Sequence, residues 1–409
     1  MSSPALSLTP PTAGGSARHG AGFWFVAAAF LVAMAFNAVP SPLYPLYQQH
    51  DGFGTLTVTV VFSVFAFGVA AALILAGHLS DWVGRKRILL PALGLEFVAD
   101  VLFLVSPSLQ VLLIARLLGG LGVGMITATA TAHLHDLHRT HRPDAGPGRF
   151  EMVSTGANLG GLALGPLVAG FLAQYVDHPL QVPYVVFGVL LALAVVAVLA
   201  APETVDVLPA RPAYRPQRVS ADHGDRPGYV AAAVSGFVAF AVNGVYTSLS
   251  AGFLVGVLHR PGHLLAGTAA CALMAAAALA QTVTDRLTAT ARRALGAGLA
   301  VAGLAVLAVS AHGADLALFL LAGVLAGAGS GILTKTAIGA VATMAAPRRR
   351  GEAISGLFLF CYAGMSLPAI GIGLLTQQVA LTTAVYIFCA VLFLLLAGVA
   401  LLTYRTARR

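Results

Sequence analysis

Apolar blocks of about 20 residues, each long enough to cross a bilayer's hydrocarbon core as a helix, recur from one end of this chain to the other. Backbone in lipid must satisfy its own N–H and C=O groups, so such blocks restrict the chain to a bundle of membrane-spanning α-helices. They fall at roughly 22–47, 56–79, 88–105, 109–132, 152–175, 183–201, 229–256, 264–284, 294–311, 315–340, 353–377 and 381–404. Hydrophobic residues make up 58% of the 409 and charged residues 9%, against about 25% charged in soluble domains. The expected fold is all-α: twelve transmembrane helices in two six-helix bundles. Residues 1–21, rich in Ser, Pro and Gly, read as a disordered tail and 22–201 as the N-terminal half. The Pro- and Arg-rich stretch 202–228 reads as a linker, 229–404 as the C-terminal half and 405–409 as a second tail.

The net charge of +8 does not point to nucleic acid. The cations sit in short clusters between apolar blocks, without the basic face or stacking platform that tracks a phosphate backbone. Twenty of the 23 basic residues lie on one set of loops, while the opposite loops hold Arg260 alone. The positive-inside rule then puts both termini and the linker in the cytoplasm. Arginine far outnumbers lysine and Ala and Gly abound, a habit of high-GC bacterial genomes, so the expected location is a bacterial cytoplasmic membrane. Cys271, Cys361 and Cys389 lie inside apolar blocks with neither metal-like spacing nor a disulfide framework. No cofactor motif is present, and nothing pairs a nucleophile with a base.

The two halves repeat one another. Asn37 in the first span matches Asn243 in the seventh, and Gly120-x-Gly122-x-Gly124 in the fourth matches Gly327-x-Gly329-x-Gly331 in the tenth. Arg149-x-Glu151-x-x-Ser154 matches Arg350-x-Glu352-x-x-Ser355. Six spans separate the copies, so both halves run in the same direction and are related by a pseudo-two-fold axis along the membrane normal.

The loop after the second span reads Gly77-His78-Leu79-Ser80-Asp81-Trp82-Val83-Gly84-Arg85-Lys86-Arg87. Two glycines permit a tight turn and close helix approach, with Asp81 set among three cations. This resembles the major facilitator superfamily signature G-x-L-x-D-x-x-G-R-[KR], every fixed position being filled. The resemblance implies a conformational latch between the halves, with Gly77, Asp81, Gly84 and Arg85 as its parts. The matching loop of the second half keeps only Asp285 and its flanking cations. The fifth span carries Gly161, Gly165, Pro166 and Gly170 in a run similar to the G-x-x-x-G-P-x-x-G-G motif of the drug/proton antiporter branch, which implies efflux. A packing helix is the alternative reading of those small residues. Pro202-Glu203-Thr204 at the end of the sixth span also looks like that branch.

Glu96, Asp100 and Arg116 lie deep inside spans, where a charge is costly and functional by default. Arg116, followed by Gly119, Gly120 and Gly122, resembles the family's R-x-x-x-G motif, which implies proton coupling; a structural ion pair is the alternative. Glu96 and Asp100 lie one turn apart on one helix face. Counting ~1.5 Å per residue puts Glu96 ~14 Å and Asp100 ~20 Å from the basic edge of a ~30 Å core, with Arg116 ~10 Å from the other edge. Asp100 and Arg116 are therefore expected to pair and carry protons, with Glu96 as the substitute; a static ion pair or a lipid-edge snorkel is the alternative. Asn37, Ser41 and Tyr44 on the first span, and Asn243, Tyr246 and Ser250 on the seventh, are expected to line a substrate cavity or, failing that, to bond between helices. Lys335 is expected to snorkel to the interface. The tract His133-Leu134-His135-Asp136-Leu137-His138-Arg139-Thr140-His141 is weighed as a metal site and set aside, because its spacing matches no standard one.

The resemblance covers 22–404 and implies a monomeric secondary active transporter working by alternating access. The expected activity is proton-coupled export of a small organic compound. Uptake of a sugar, amino acid or organic acid, by symport or facilitated diffusion, is the alternative.

Overall fold

The computed structural model describes residues 13–77, 79–146, 148–205, 216–217, 225–346 and 349–407. Among them are twelve helices long and apolar enough to cross a membrane. They are α1 Ala13–Ala38, α2 Thr55–Ala76, α3 Arg85–Val105, α4 Leu109–His141, α5 Gly148–Tyr175, α6 Val182–Ala200, α7 Arg226–Gly256, α8 His263–Val283, α9 Ala289–Gly313, α10 Leu316–Met344, α11 Arg350–Leu375 and α12 Leu381–Ala407.

The first span differs from expectation at both ends. It is helical from Ala13, where a disordered tail is expected; further along, Gly20 lies against the His141 ring and Gly22 against Pro202. At its other end Pro40 and Pro42 interrupt the ladder. The chain turns through a short 3₁₀ segment, Ser41–Leu43, and resumes as a separate helix, Tyr44–Asp51. Most of the expected linker, residues 1–12 of the first tail, and 408–409 lie outside the described residues.

Polar side chains start several helices, as unsatisfied first-turn N–H groups require. The Asp225 carboxylate accepts from Gly228 N–H ahead of α7, Thr288 from Ala291 ahead of α9, and Asp315 from Leu318 ahead of α10.

The duplication is visible in the packing. On α4, a Cβ at Gly120 would meet the Phe65 carbonyl and one at Gly124 the Val69 carbonyl, both on α2. On α10, Gly327 and Gly331 meet the carbonyls of Leu273 and Ala277 on α8 in the same way. Such approach requires the missing Cβ. Across the halves, α5 packs on α8, and α2 packs on α11 and α7.

Hydrogen bonds across the halves lie towards the face opposite the basic loops. His263 Nδ1 donates to the Pro42 carbonyl at 3.2 Å, and its backbone N–H to Gln174 Oε1 at 3.0 Å. Ser63 Oγ lies 3.5 Å from the Ser366 carbonyl, and Gly373 rests on Leu56 and Thr59.

Candidate functional site

Two buried charges of the N-terminal half, Glu96 and Arg116, meet Asn37 of α1. Glu96, Asp100, Arg116 and Asn37 are 0%, 1%, 3% and 5% exposed. Asn37 Nδ2 donates to Glu96 Oε1 at 2.8 Å and to the Ala33 carbonyl at 2.9 Å. Arg116 Nη1 donates to the Asn37 carbonyl at 2.8 Å, and its guanidinium lies 4.3 Å from the Phe65 ring centroid and 5.9 Å from that of Phe62. Gly119 and Gly122 make room: a Cβ at Gly119 would stand 2.7 Å from Asn37 Oδ1, and one at Gly122 2.8 Å from Glu96 Cγ.

The expected pair of Asp100 and Arg116 does not form. No ion pair among the described residues includes either. Equal depth does not fix azimuth: Arg116 turns towards α1 and α2, whereas Asp100 turns towards Gly188 on α6. Glu96 Oε2, Asp100 Oδ1 and Arg116 Nε have no hydrogen-bond partner among the described residues. An ionised carboxylate buried without a cation is costly, so this setting suits an acid that carries a proton and gives it up when the surroundings change.

The charges are confined to one half of a repeated structure. Gly122 sits over Ala92 and Glu96 on α3; its counterpart Gly329 sits over Gly296 and Ala300 on α9. At the place matching Arg116 stands Gly323, and the Tyr246 ring fills the space beside it. The same helix packing is thus built without charge in the C-terminal half, so the fold does not require these ionisable groups.

The expected cavity residues divide. Ser41, Tyr44, Tyr246 and Ser250 are buried in this conformation. Tyr246 stacks on Phe319 with centroids 5.3 Å apart. Asn37 is turned to Glu96. Asn243 is half-buried and accepts from Ser330 Oγ at 3.1 Å, joining α7 to α10. An aromatic group that the sequence reading missed lies nearby: Phe240 on α7 is 5.4 Å from Tyr362 and 6.5 Å from Phe358 on α11. All three are half-buried, and Tyr362 also packs against the N-terminal core. The four-residue spacing of Phe358 and Tyr362 on one helical span was the available signal.

At the basic face, Gly84 has φ 109°, a conformation that glycine adopts without strain, and α3 begins immediately after it. Arg85 donates to Asp81 at 2.5 Å, to Ser80 at 2.8 Å and to Asp136 on α4 at 3.1 Å. Gly77 caps α2, and His78 lies outside the described residues. Asp81 is exposed, and its ion pair stays within the N-terminal half. Glu203 caps α3: Oε1 accepts from Arg85 N–H and Oε2 from Lys86 N–H, each at 3.0 Å. Burial pushes its carboxyl up, but N–H donors from Thr204, Lys86, Arg85 and Val205 outweigh that and hold it below the usual range.

The small residues of α5 face two ways. Gly161 and Gly165 seat against Leu31 and Ala35 of α1, while Pro166 and Gly170 meet Gly267 and His263 of α8. In the C-terminal half, Lys335 reaches the interfacial loop, as expected of a snorkelling lysine, and is ion-paired there with Asp285. The histidines of the 133–141 tract are not brought together: His133 bonds to the Pro202 carbonyl at 3.0 Å and His138 to that of Gly146 at 3.3 Å.

The family profile described as Major Facilitator Superfamily matches residues 25–312. The quinolone resistance protein NorA of Staphylococcus aureus is 27% identical over 165 residues, which is 40% of each chain. The chain thus spans about two-fifths of that relative's length. Among solved structures, a POT family transporter in complex with a thioalcohol-conjugated peptide superposes with TM-score 0.76 at 12% identity, over 95% of this chain and 96% of that one. The nucleoside transporter NupG superposes with TM-score 0.71 at 12% identity, over 93% and 99%. At these identities the likeness is one of fold.

Proposed function

The chain belongs to the Major Facilitator Superfamily, and on that premise we propose that it is a proton-coupled antiporter exporting a small organic compound, with Glu96 as the proton carrier. The observation that carries this reading is Glu96 itself: fully buried, held by Asn37, in no ion pair among the described residues, and replaced by Ala300 where the other half repeats the packing. Arg116 acts through Asn37. Its hydrogen bond to the Asn37 carbonyl ties α4 to α1, so a movement of either helix changes what Glu96 feels. A proton arriving on Glu96 neutralises it; departure leaves a charge whose cost differs between the two states of the transporter, and only such differences drive a conformational change.

Export is supported by the small-residue run of α5 and by the NorA relative, whose name records quinolone resistance. Asn243 with Phe240, Phe358 and Tyr362 forms the wall we assign to the substrate, a polar anchor beside an apolar face of the kind that holds small organic ligands. The basic loops are assigned to the cytoplasm, with both termini on that side. The protein then rests with its outer face sealed, and the Asp81–Arg85 pair belongs to a latch that closes on the other half when the cytoplasmic face shuts.

The test is flux in proteoliposomes with and without an imposed pH gradient. The parent protein moves substrate against the gradient of protons, and Glu96→Gln abolishes that drive while exchange of substrate for substrate continues. Substrate accumulation in the direction of proton flow would mean uptake and overturn the export reading.

A further inference from the structure

We infer that a pocket between the first turns of α1 and the α4–α5 loop binds the phosphodiester headgroup of an anionic phospholipid. The pocket is a cavity of about 280 Å³ whose lining includes Phe23, Trp24, His138, His141, Arg142 and Arg149, with no carboxylate among its lining residues. Arg142 and Arg149 are both exposed, and neither joins an ion pair among the described residues. Two guanidiniums outside any ion pair among the described residues line one opening, and the guanidinium fork is the group that matches phosphate oxygens.

The wall decides between a lipid and a free phosphate ion. Arg149 lies 5.6 Å from the Trp24 ring centroid, and Trp24 packs edge-on to Phe23 at 5.4 Å. Trp24 is 52% exposed, its neighbour Phe25 41%, and Met152, one turn along α5, 63%. Aromatic residues placed so belong to the headgroup boundary of a bilayer. The cations therefore stand where a phosphodiester lies, and the apolar surface continues from them in the direction taken by acyl chains. A soluble phosphate would use the arginines and leave that surface unexplained. Basic pockets between transmembrane helices at the cytoplasmic side suit anionic headgroups. The site is separate from Glu96 and stands whether or not transport is proton-coupled.

The chain has two tryptophans, Trp24 and Trp82, so Trp82→Phe leaves Trp24 as the sole reporter beside the pocket. The protein is placed in phosphatidylcholine nanodiscs containing a small fraction of brominated lipid, either phosphatidylglycerol or phosphatidylcholine. The quantity read is the ratio of Trp24 quenching by the two, which cancels any change of intensity caused by losing the Arg149 contact. Brominated phosphatidylglycerol is expected to quench preferentially. Removing the pair with Arg142→Gln and Arg149→Gln should weaken the preference roughly thirtyfold, about fivefold per arginine, and Arg149→Lys should keep most of it. Equal quenching by the two lipids in the Trp82→Phe protein, or a preference that survives in the double variant, overturns the site. Displacement of the lipid by inorganic phosphate assigns it to a soluble anion and overturns the lipid reading. Should the double variant fail to fold, the comparison of the two lipids in its parent already decides.

Discussion

Gly122 lies over Glu96 in the same register in which Gly329 lies over Ala300. The two contacts occupy matching places in the duplicated halves, and only one of them carries an acid. Replacing the acid by an uncharged isostere therefore asks the fold to do nothing that the other half does not already do. Glu96→Gln is expected to purify in normal yield, to lose transport driven by a pH gradient, and to retain substrate exchange. Asp100→Asn, whose side chain faces α6, is expected to keep most of the gradient-driven flux. Gradient-driven flux intact in Glu96→Gln and lost in Asp100→Asn would return the proton to the residue that depth alone favours.

The two asparagines matched by the repeat should behave differently. Asn37→Ala removes the donor to Glu96 and is expected to reproduce the loss of proton drive with little change in KM. Asn243→Ala removes the polar group beside Phe240 and Tyr362 and is expected to raise KM several-fold with coupling kept. Identical effects of the two substitutions in a flux assay would contradict the division of roles.

A substitution at Gly120 tests the helix packing directly. A Cβ there meets the Phe65 carbonyl, whereas one at Gly94 on α3 meets nothing within 4 Å. Gly120→Ala is expected to destabilise by about 1–3 kcal/mol, the usual range for overpacking, and Gly94→Ala to be neutral or slightly stabilising. Thermal unfolding in detergent reads both.

Glu203 makes a pH-dependent contribution with a definite sign. Its carboxyl is held below its ordinary value, so the stabilisation it gives is complete above the unfolded value of about 4.3 and fades as pH falls through the folded one. Glu203→Gln is expected to lower thermal stability at neutral pH by about 1 kcal/mol, the scale of a helix cap. The gap between parent and variant should close in acid; a gap that widens there would show that the carboxylate is not what caps α3.

Much of the architecture was legible because it rests on one-dimensional signals. Apolar block length set the spans, the loop cations set the sidedness reading, and the spaced glycines of α4 and α10 announced both the duplication and the close helix pairs that now carry it. The charged site was legible only in part. Counting residues gives height in the bilayer, and at that height Asp100 and Arg116 do coincide. Each residue also turns the helix by about 100°, and small differences in helix orientation decide which neighbour a side chain meets. Those orientations depend on packing across several helices, which is how Asn37, read as a cavity residue, becomes the partner of Glu96. The aromatic trio of Phe240, Phe358 and Tyr362 was hidden for a similar reason. It joins helices far apart in sequence, and the spacing of Phe358 and Tyr362 on one span gives no sign of Phe240 on another.

The two-sided face of α5 has a mechanical consequence. Gly161 and Gly165 fix it to α1 of its own half, while Pro166 and Gly170 rest on α8 of the other. In the alternating-access cycle proposed above, one helix would be fastened on one flank and carry the moving half on the other, as a bearing does. A bearing needs a smooth race more than a strong bond, because every side chain that interlocks there adds a barrier to the stroke. Bulk at Gly161 should loosen the N-terminal half itself. Bulk at Gly170 should leave that half intact and slow the stroke, so a transporter that folds, binds and stalls is the signature of damage on the α8 side.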